Sequence, residues 1–504
     1  MGKPSITIIG AGFGGIAMAL ELRRAGLTDI TILEKGDDVG GVWRVNTYPG
    51  AACDVPSPLY SISSEPNPEW SRRFSEQPDI LAYLRDIAER HQLRPLIRFG
   101  VTVIEAEFDE HVNRWSVRTA DGEIVESDVL VTAVGQLSRP ALPDIPGRET
   151  FAGPAFHSAE WNHDVDLAGR RVAVIGTGAS AVQFVPAIAA DVGRLTLFQR
   201  SAPWILPKPD RVYGDRHHRI FRSVPATLRG ERLVTWGIFE LLTVGLLDTR
   251  WRGGIAGALA RRHLRKQVTD PALRAALTPD YEPGCKRMLL SDEYYPALTR
   301  GSVDVVVGAI DRIEPDGVRT VDGTLHPADV IIYGTGFAAT EFLAPMKIRG
   351  RAGRSLDDAW SDGAHAYLGV TTAGFPNLFL MYGPNTNLGS GSIVYMLESQ
   401  ARHIAGLVEW LVEQPGCAVE VDAGVERRFD DRIQRKLADS VWSLCSSWYR
   451  TASGKITTNW PGTVTAYRRR TRRPDRRDFR ITAPRTTPAR TRPAPDAAGS
   501  RRSH

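Results

Sequence analysis

Two short glycine loops hold the residues whose spacing could do chemistry. In TIIGAGFGG, Gly10, Gly12 and Gly15 are followed 24 positions after Gly10 by Glu34. In RVAVIGTGASA, Gly176, Gly178 and Ala181 are followed 24 positions after Gly176 by Arg200, with Ser201 next to it. In such a loop the first glycine allows a tight turn. The second lets a pyrophosphate approach the backbone, and the third small residue lets the helix pack on its strand. Free N–H groups at the helix start, here around Ala179 and Ser180 in the second loop, meet the phosphates. The two loops differ at the ribose position. Glu34 can accept from ribose hydroxyls and repels a 2′-phosphate, so the first loop suits FAD or NAD. A guanidinium forks onto a 2′-phosphate, so Arg200 makes the second loop suit NADPH.

Loops of this kind need strands and helices to hold them. Ile6, Ile8 and Ile9 read as a strand, Ile16, Leu20 and Leu22 as the helix after it, and Ile30–Leu33 as the next strand. Val172–Ile175 and Leu195–Phe198 repeat the plan. DVLVTAVG at Asp128–Gly135 and DVIIYGTG at Asp329–Gly336 read as apolar strands that close each unit. The expected fold class is α/β, with two Rossmann-like dinucleotide-binding domains.

The bulk numbers agree with that class. A chain of 504 residues has room for two or three domains, and 42% hydrophobic with 24% charged residues reads as globular. Cys53, Cys285, Cys417 and Cys445 are scattered without a C-x-x-C, which argues against a disulfide framework or a zinc site and suits a cytoplasmic protein. No signal peptide is read at Met1–Ser5. The longest apolar run, Leu233–Leu247, is too short to span a bilayer, contains Glu240, and reads as a buried or substrate-lining helix. Residues 468–504 hold 13 Arg against 3 Asp and few apolar residues, so a basic disordered tail is expected, without a specific nucleic-acid partner.

Beyond these loops, the segment FAGPAFHSAEWN resembles a family pattern. Phe151, Gly153, His157 and Trp161 match the F-x-G-x-x-x-H-x-x-x-W of type I Baeyer–Villiger monooxygenases, a branch of the class B flavoprotein monooxygenases. Asn162 stands where the family has Pro or Asp, and an Asn can cap a helix much as Asp does. The resemblance runs from about Ile6 to Arg470. GGVWRVNTYPGAACD resembles the family's flavin-proximal loop. It implies flavin contacts for Gly41, Val42 and Trp43, an active-site role for Asp54, which also borders the cofactor, and Tyr60 close by. GCKR assigns Lys286 to the NADPH 2′-phosphate and Arg287 to the flavin site as the catalytic arginine. SWY places Trp448 against the nicotinamide nucleotide, and Gly383–Gln400 resembles the return towards the isoalloxazine.

The resemblance implies an FAD domain over about 1–145 and 345–467, around an NADPH domain over 146–345 with a helical insertion at about 208–283. It also implies a reaction in which NADPH and O₂ convert a ketone to an ester or lactone through a flavin C4a-peroxide. Arg287 would then stabilise negative charge and Asp54 would aim it. The segment Phe151–Asn162 follows the proline-rich PALPDIPG and reads as a seam between the nucleotide domains, with His157 and Trp161 coupling their motion rather than doing acid–base work. Three other readings stay open: N- or S-oxygenation on the same scaffold, a reductase, and a non-catalytic flavin-binding protein.

Overall fold

The computed structural model describes residues 3–247 and 254–484. Its centre is a pair of five-stranded parallel sheets built to one plan. The first sheet runs in space Leu378–Leu380, Val129–Thr132, Ile6–Ile9, Ile30–Glu34, Ile97–Phe99. The second runs Ala155–His157, Val330–Tyr333, Arg171–Ile175, Arg194–Gln199, Val303–Val307. In both, the strand before the glycine loop is central. Between its outer strand and its closing strand each unit also carries three antiparallel strands, at Val103–Ser127 and at Ile310–Pro327, and Lys347–Arg349 adds a parallel fourth strand to the first set. The sequence expectation of an α/β fold with duplicated nucleotide units is therefore met.

Local chemistry explains why the units share this form. Ile6, Ile8, Val129 and Val131 are buried, as are Val172, Val174, Val330 and Ile332. Parallel strands covered on both faces read as continuous apolar runs, and each such side chain contributes about 1.5–3 kcal/mol when removed from water. The aspartates before the closing strands pin the central strands. Asp128 accepts from the Ser5 N–H at 2.8 Å, and Asp329 accepts from the Arg171 N–H at 2.8 Å.

The units differ at one edge. The chain leaves the first sheet after Thr132, builds the second, and returns to the first at Leu378. The second sheet takes its matching edge strand, Ala155–His157, from the segment just before it. The segment Phe151–Asn162, read from the sequence as a seam between the nucleotide domains, also supplies an edge strand of the second sheet. Tyr333 pairs with His157, and a Cβ on Gly153 would stand 2.3 Å from the Asp329 carbonyl oxygen, so the segment lies flat along the closing strand. Asn162 makes a turn rather than a helix cap, its Oδ1 accepting from the Asp164 N–H at 3.0 Å.

Among the described residues between the short strands Ile205–Leu206 and Leu289–Leu290 lie four helices, Asp215–Ser223, Pro225–Leu247, Gly254–Gln267 and Pro271–Ala276. The apolar run 233–247, read from the sequence as a buried or substrate-lining helix, is helical and buried on one side only. One side, with Trp236 and Phe239, packs on the core of the first unit, while Leu233, Val234, Ile238 and Leu241 are exposed.

Two further expectations are corrected. The tail is not disordered from residue 468. A helix runs Val464–Thr471, and Phe479–Thr482 pairs with Ala418–Val421. Buried Tyr467 and Phe479 supply the apolar anchors that the arginine count obscured. Residues 485–504 lie outside the described residues. Cys285 and Cys445, 160 positions apart, form a disulfide with Cα atoms 6.1 Å apart.

Candidate functional site

Each glycine loop meets its geometric requirement. Gly10 has φ +103°, and a Cβ there would stand 2.6 Å from the Ala133 carbonyl oxygen. Gly176 has φ +108° and would meet the Gly334 carbonyl oxygen at 2.5 Å. A Cβ on Gly15 would lie 1.9 Å from the Gly10 oxygen, so only glycine lets that helix sit on its strand. Ala181, its counterpart, is fully buried with its methyl against Gly334. Gly12 and Gly41 face each other so closely that a Cβ on Gly41 would stand 3.1 Å from the Gly12 Cα. The cleft between them is shaped by the lack of side chains. The helices Phe13–Arg24 and Ala179–Ile188 begin at Gly12 and Gly178 without a side-chain cap, which leaves their first N–H groups for an anion. These features fit a dinucleotide at each loop.

At the ribose position the two units part. Glu34 is buried, and it accepts from the Ala11 N–H at 2.7 Å and the Gly36 N–H at 2.8 Å. The carboxylate therefore braces the glycine loop and keeps two lone-pair positions for a ribose. Arg200 is exposed and makes no ion pair among the described residues. Lys286 donates to Ser201 Oγ at 3.0 Å and lies over the Tyr281 ring at 4.4 Å. Burial, and then the charge of Arg200, push the Lys286 pKa down. Two cations and a hydroxyl held together form a socket for a dianion.

Asp54 and Arg287, 233 positions apart, meet in a fork. Arg287 Nε donates to Asp54 Oδ2 at 2.8 Å and Nη2 to Oδ1 at 2.7 Å. The remaining Nη1 lies 3.5 Å from the Leu388 carbonyl oxygen, in the Gly383–Gln400 segment. Both side chains keep about a quarter of their surface open, 27% for Arg287 and 26% for Asp54, so the pair faces a cleft. Asp54 raises the Arg287 pKa further above its already high range against the opposing effect of burial, which fixes the guanidinium as a permanent cation.

Other expected residues fall around this pair. Val42 and Trp43 start the short helix Val42–Val45, whose N-cap is Gly41. Trp43 Nε1 donates to the Tyr60 hydroxyl at 3.2 Å. Trp448 is 39% exposed and stacks on Tyr449, so it stands at the rim rather than inside. The disulfide Cys285–Cys445 ties the Lys286–Arg287 loop to the loop that carries Trp448.

His157 is 1% exposed. Its Nδ1 accepts from the Ala159 N–H at 3.1 Å, its Nε2 has no partner, and burial lowers its pKa. Trp161 packs edge-on to Phe156 and against Phe184, which Tyr48 of the first unit also touches.

Several residues escaped the sequence reading. Tyr382 and Tyr449 face Arg287 closely enough for its charge to act on their phenols. Gln183, on the helix of the second glycine loop, accepts from the Tyr48 hydroxyl at 2.9 Å and donates to the Ala52 carbonyl at 2.9 Å. Ser180 also reaches the Tyr48 hydroxyl. These contacts clamp the loop before Asp54 to the second unit. No local signal marks them, since they depend on how the units meet.

Residues 7–214 match the family model described as pyridine nucleotide-disulphide oxidoreductase. A Baeyer-Villiger monooxygenase of Streptomyces coelicolor is 44% identical over 499 residues, covering 98% of this chain and 94% of that protein. The crystal structure of cyclohexanone monooxygenase from Rhodococcus sp. Phi1 bound to NADP+ superposes with a TM-score of 0.85 at 28% identity, over 95% of this chain and 99% of that one. A structure of OTEMO in complex with FAD and NADP gives 0.84 at 26% identity, over 95% of this chain and all of that one. The paired nucleotide loops, the Arg287–Asp54 fork and this similarity over nearly the whole length lead to one assignment: the chain belongs to the Baeyer–Villiger monooxygenase family of flavoproteins.

Proposed function

We propose that Arg287, aimed by Asp54, stabilises negative charge during the oxidation of a ketone to an ester or lactone. FAD lies on the Gly10–Gly15 loop and NADPH on the Gly176–Ala181 loop. The reaction consumes NADPH and O₂, and one oxygen atom enters beside the carbonyl carbon while the other leaves as water. Bound FAD, reduced by NADPH, supplies the oxygen-activating chemistry. The chain's own residues bind, aim and hold charge.

Arg200, Lys286 and Ser201 select the 2′-phosphate. Glu34 braces the first loop and accepts from a ribose. Arg287 cannot serve as a proton shuttle because it stays charged, so it acts as a fixed electrostatic partner for an oxyanion. Asp54 holds two of its donor edges and leaves one side of the guanidinium towards the cleft. Tyr60, Trp43, Val42 and Gly41 form the flavin-proximal wall, and Trp448 contributes at the rim. His157 and Trp161 couple the two units: His157 is neutral and sealed, and Trp161 reaches the ring that Tyr48 touches. Dependence on NADPH argues for a cytoplasmic location, and the substrate is a small ketone.

The observation that carries this reading is the forked Arg287–Asp54 pair at the junction of the two nucleotide units. Product analysis tests it, using yellow holoenzyme, NADPH and a panel of linear, cyclic and aryl ketones with one thioether. Esters or lactones are expected. Turnover of the thioether alone would overturn the assignment.

A further inference from the structure

The helix Pro225–Leu247 has an unusual distribution of apolar side chains. Its inner face is anchored by polar contacts. Arg232 donates to the Pro58 and Ser61 carbonyls, Glu240 accepts from the Val464 N–H at 2.9 Å, and Thr243 is buried. Trp236 and Phe239 pack on the core from the same side. The opposite face carries Leu233, Val234, Ile238 and Leu241, all exposed, Leu241 by 75%. The next helix, Gly254–Gln267, repeats the pattern. Gly257, Ala260 and Leu264 are buried, while Ile255 is 77% exposed and Leu259 shares its face. Large aliphatic side chains left in water forgo the gain of burial, and monomers rarely expose such residues in a cluster.

Charge identifies what covers this face. From 215 to 267, eleven Lys and Arg stand against four Asp and Glu, a net charge of +7, while the whole chain carries +5. Arg229 lies one turn before Leu233. Arg262 and Lys266 continue the line of Ile255 and Leu259 at i+3 and i+4 spacing, and all three are exposed. A second copy of the chain would bring one basic patch against another. The Arg-rich segment beyond residue 484 has the same sign and few apolar residues. An anionic lipid headgroup layer over acyl chains offers both the opposite charge and an apolar medium. Among the described residues no helix is long and apolar enough to cross a membrane, so the contact is one of lying on the surface.

We propose that the exposed apolar sides of helices Pro225–Leu247 and Gly254–Gln267 together dock on an anionic phospholipid surface. Leucine, isoleucine and valine side chains enter the headgroup boundary, and Arg229, Arg262 and Lys266 pair with lipid phosphates.

The test is co-sedimentation of FAD-loaded holoenzyme with vesicles of phosphatidylglycerol and phosphatidylcholine, or of phosphatidylcholine alone. Binding to the anionic vesicles is expected, with a loss of about tenfold between roughly 50 mM and 500 mM salt. Val234→Asp with Leu241→Asp should reduce vesicle binding by about tenfold or more, with unchanged melting temperature and turnover of a water-soluble ketone. Arg262→Glu with Lys266→Glu should abolish the salt dependence first. No binding to anionic vesicles at low salt would overturn the proposal. So would equal binding by the aspartate variant, or a wild-type dimer that this variant makes monomeric while vesicles go unbound.

Discussion

The two nucleotide units share one strand plan and carry opposite charges at the same corner. Strand order, glycine turn, antiparallel excursion and the aspartate before the closing strand all repeat, and the acid or base falls at the same offset of 24 positions. Yet Glu34 is buried and committed to two backbone N–H groups, whereas Arg200 is exposed and faces a second cation, Lys286. The first unit is complete in itself apart from its nucleotide. The second keeps two like charges close together, an arrangement that a bound anion would relieve. On the proposed reading, the duplicated architecture sets where a dinucleotide lies, and a few side chains at one corner choose which one. The Asp54–Arg287 pair, proposed as the charge-stabilising site, belongs to neither unit alone. Asp54 comes from the loop after the first unit's second strand, and Arg287 from the segment after the helical insertion of the second.

Changing these residues one at a time tests the comparison. Arg287→Ala should reduce ester formation by about 10²–10³-fold with FAD still bound, because a preorganised charge partner is lost. Chromatography of the product against FAD absorbance checks it, and equal loss of FAD would reassign the arginine to cofactor retention.

A control away from both nucleotide corners, on the helix Ala423–Ala438 that packs into the core of the first sheet, has the next largest effect. Burial raises the Glu426 pKa to about 7 from an ordinary 4.5, although the Ala373 N–H donates to it. The folded value lies above the unfolded one. The group's contribution is therefore full below about pH 4.5 and is lost as the pH rises to 7. Glu426→Gln should raise stability at pH 8 by up to about 3 kcal/mol and flatten its pH dependence, without altering cofactor preference. Denaturant melts at pH 5 and pH 8 measure this.

Lys286→Ala should raise the KM for NADPH by about tenfold while leaving that for NADH unchanged, as one charge-assisted contact is removed. Steady-state kinetics with both nucleotides decide it. Glu34→Gln should cost about 1–2 kcal/mol of stability even without FAD, since one of the Ala11 and Gly36 N–H groups would meet an amide donor. A melt of FAD-free protein tests this, and an unchanged melting temperature would limit Glu34 to ribose binding.

Much of this was legible in the sequence because it is local. A glycine with positive φ, a helix start without a cap and an acid or base at the next strand's end need only the chain around them. Asp54 and Arg287 are visible only through the family resemblance, since nothing between them sets their distance. Tyr382, Tyr449 and Gln183 stayed hidden because their roles arise where separate segments converge. The Cys285–Cys445 link escaped for the same reason. Composition misled at 468–484, where arginine content suggested disorder but Tyr467 and Phe479 secured a helix and a strand. Periodicity failed in 225–247, where both faces are apolar and only tertiary packing shows which one is covered.

The most direct test of the sorting claim is the ratio of kcat/KM for NADPH to that for NADH in Arg200→Ala. The account predicts that the wild-type preference for NADPH falls by about tenfold or more, through weaker use of NADPH and not better use of NADH. An unchanged ratio would contradict it, because the residue that distinguishes the second unit from the first would then play no part in choosing the nucleotide.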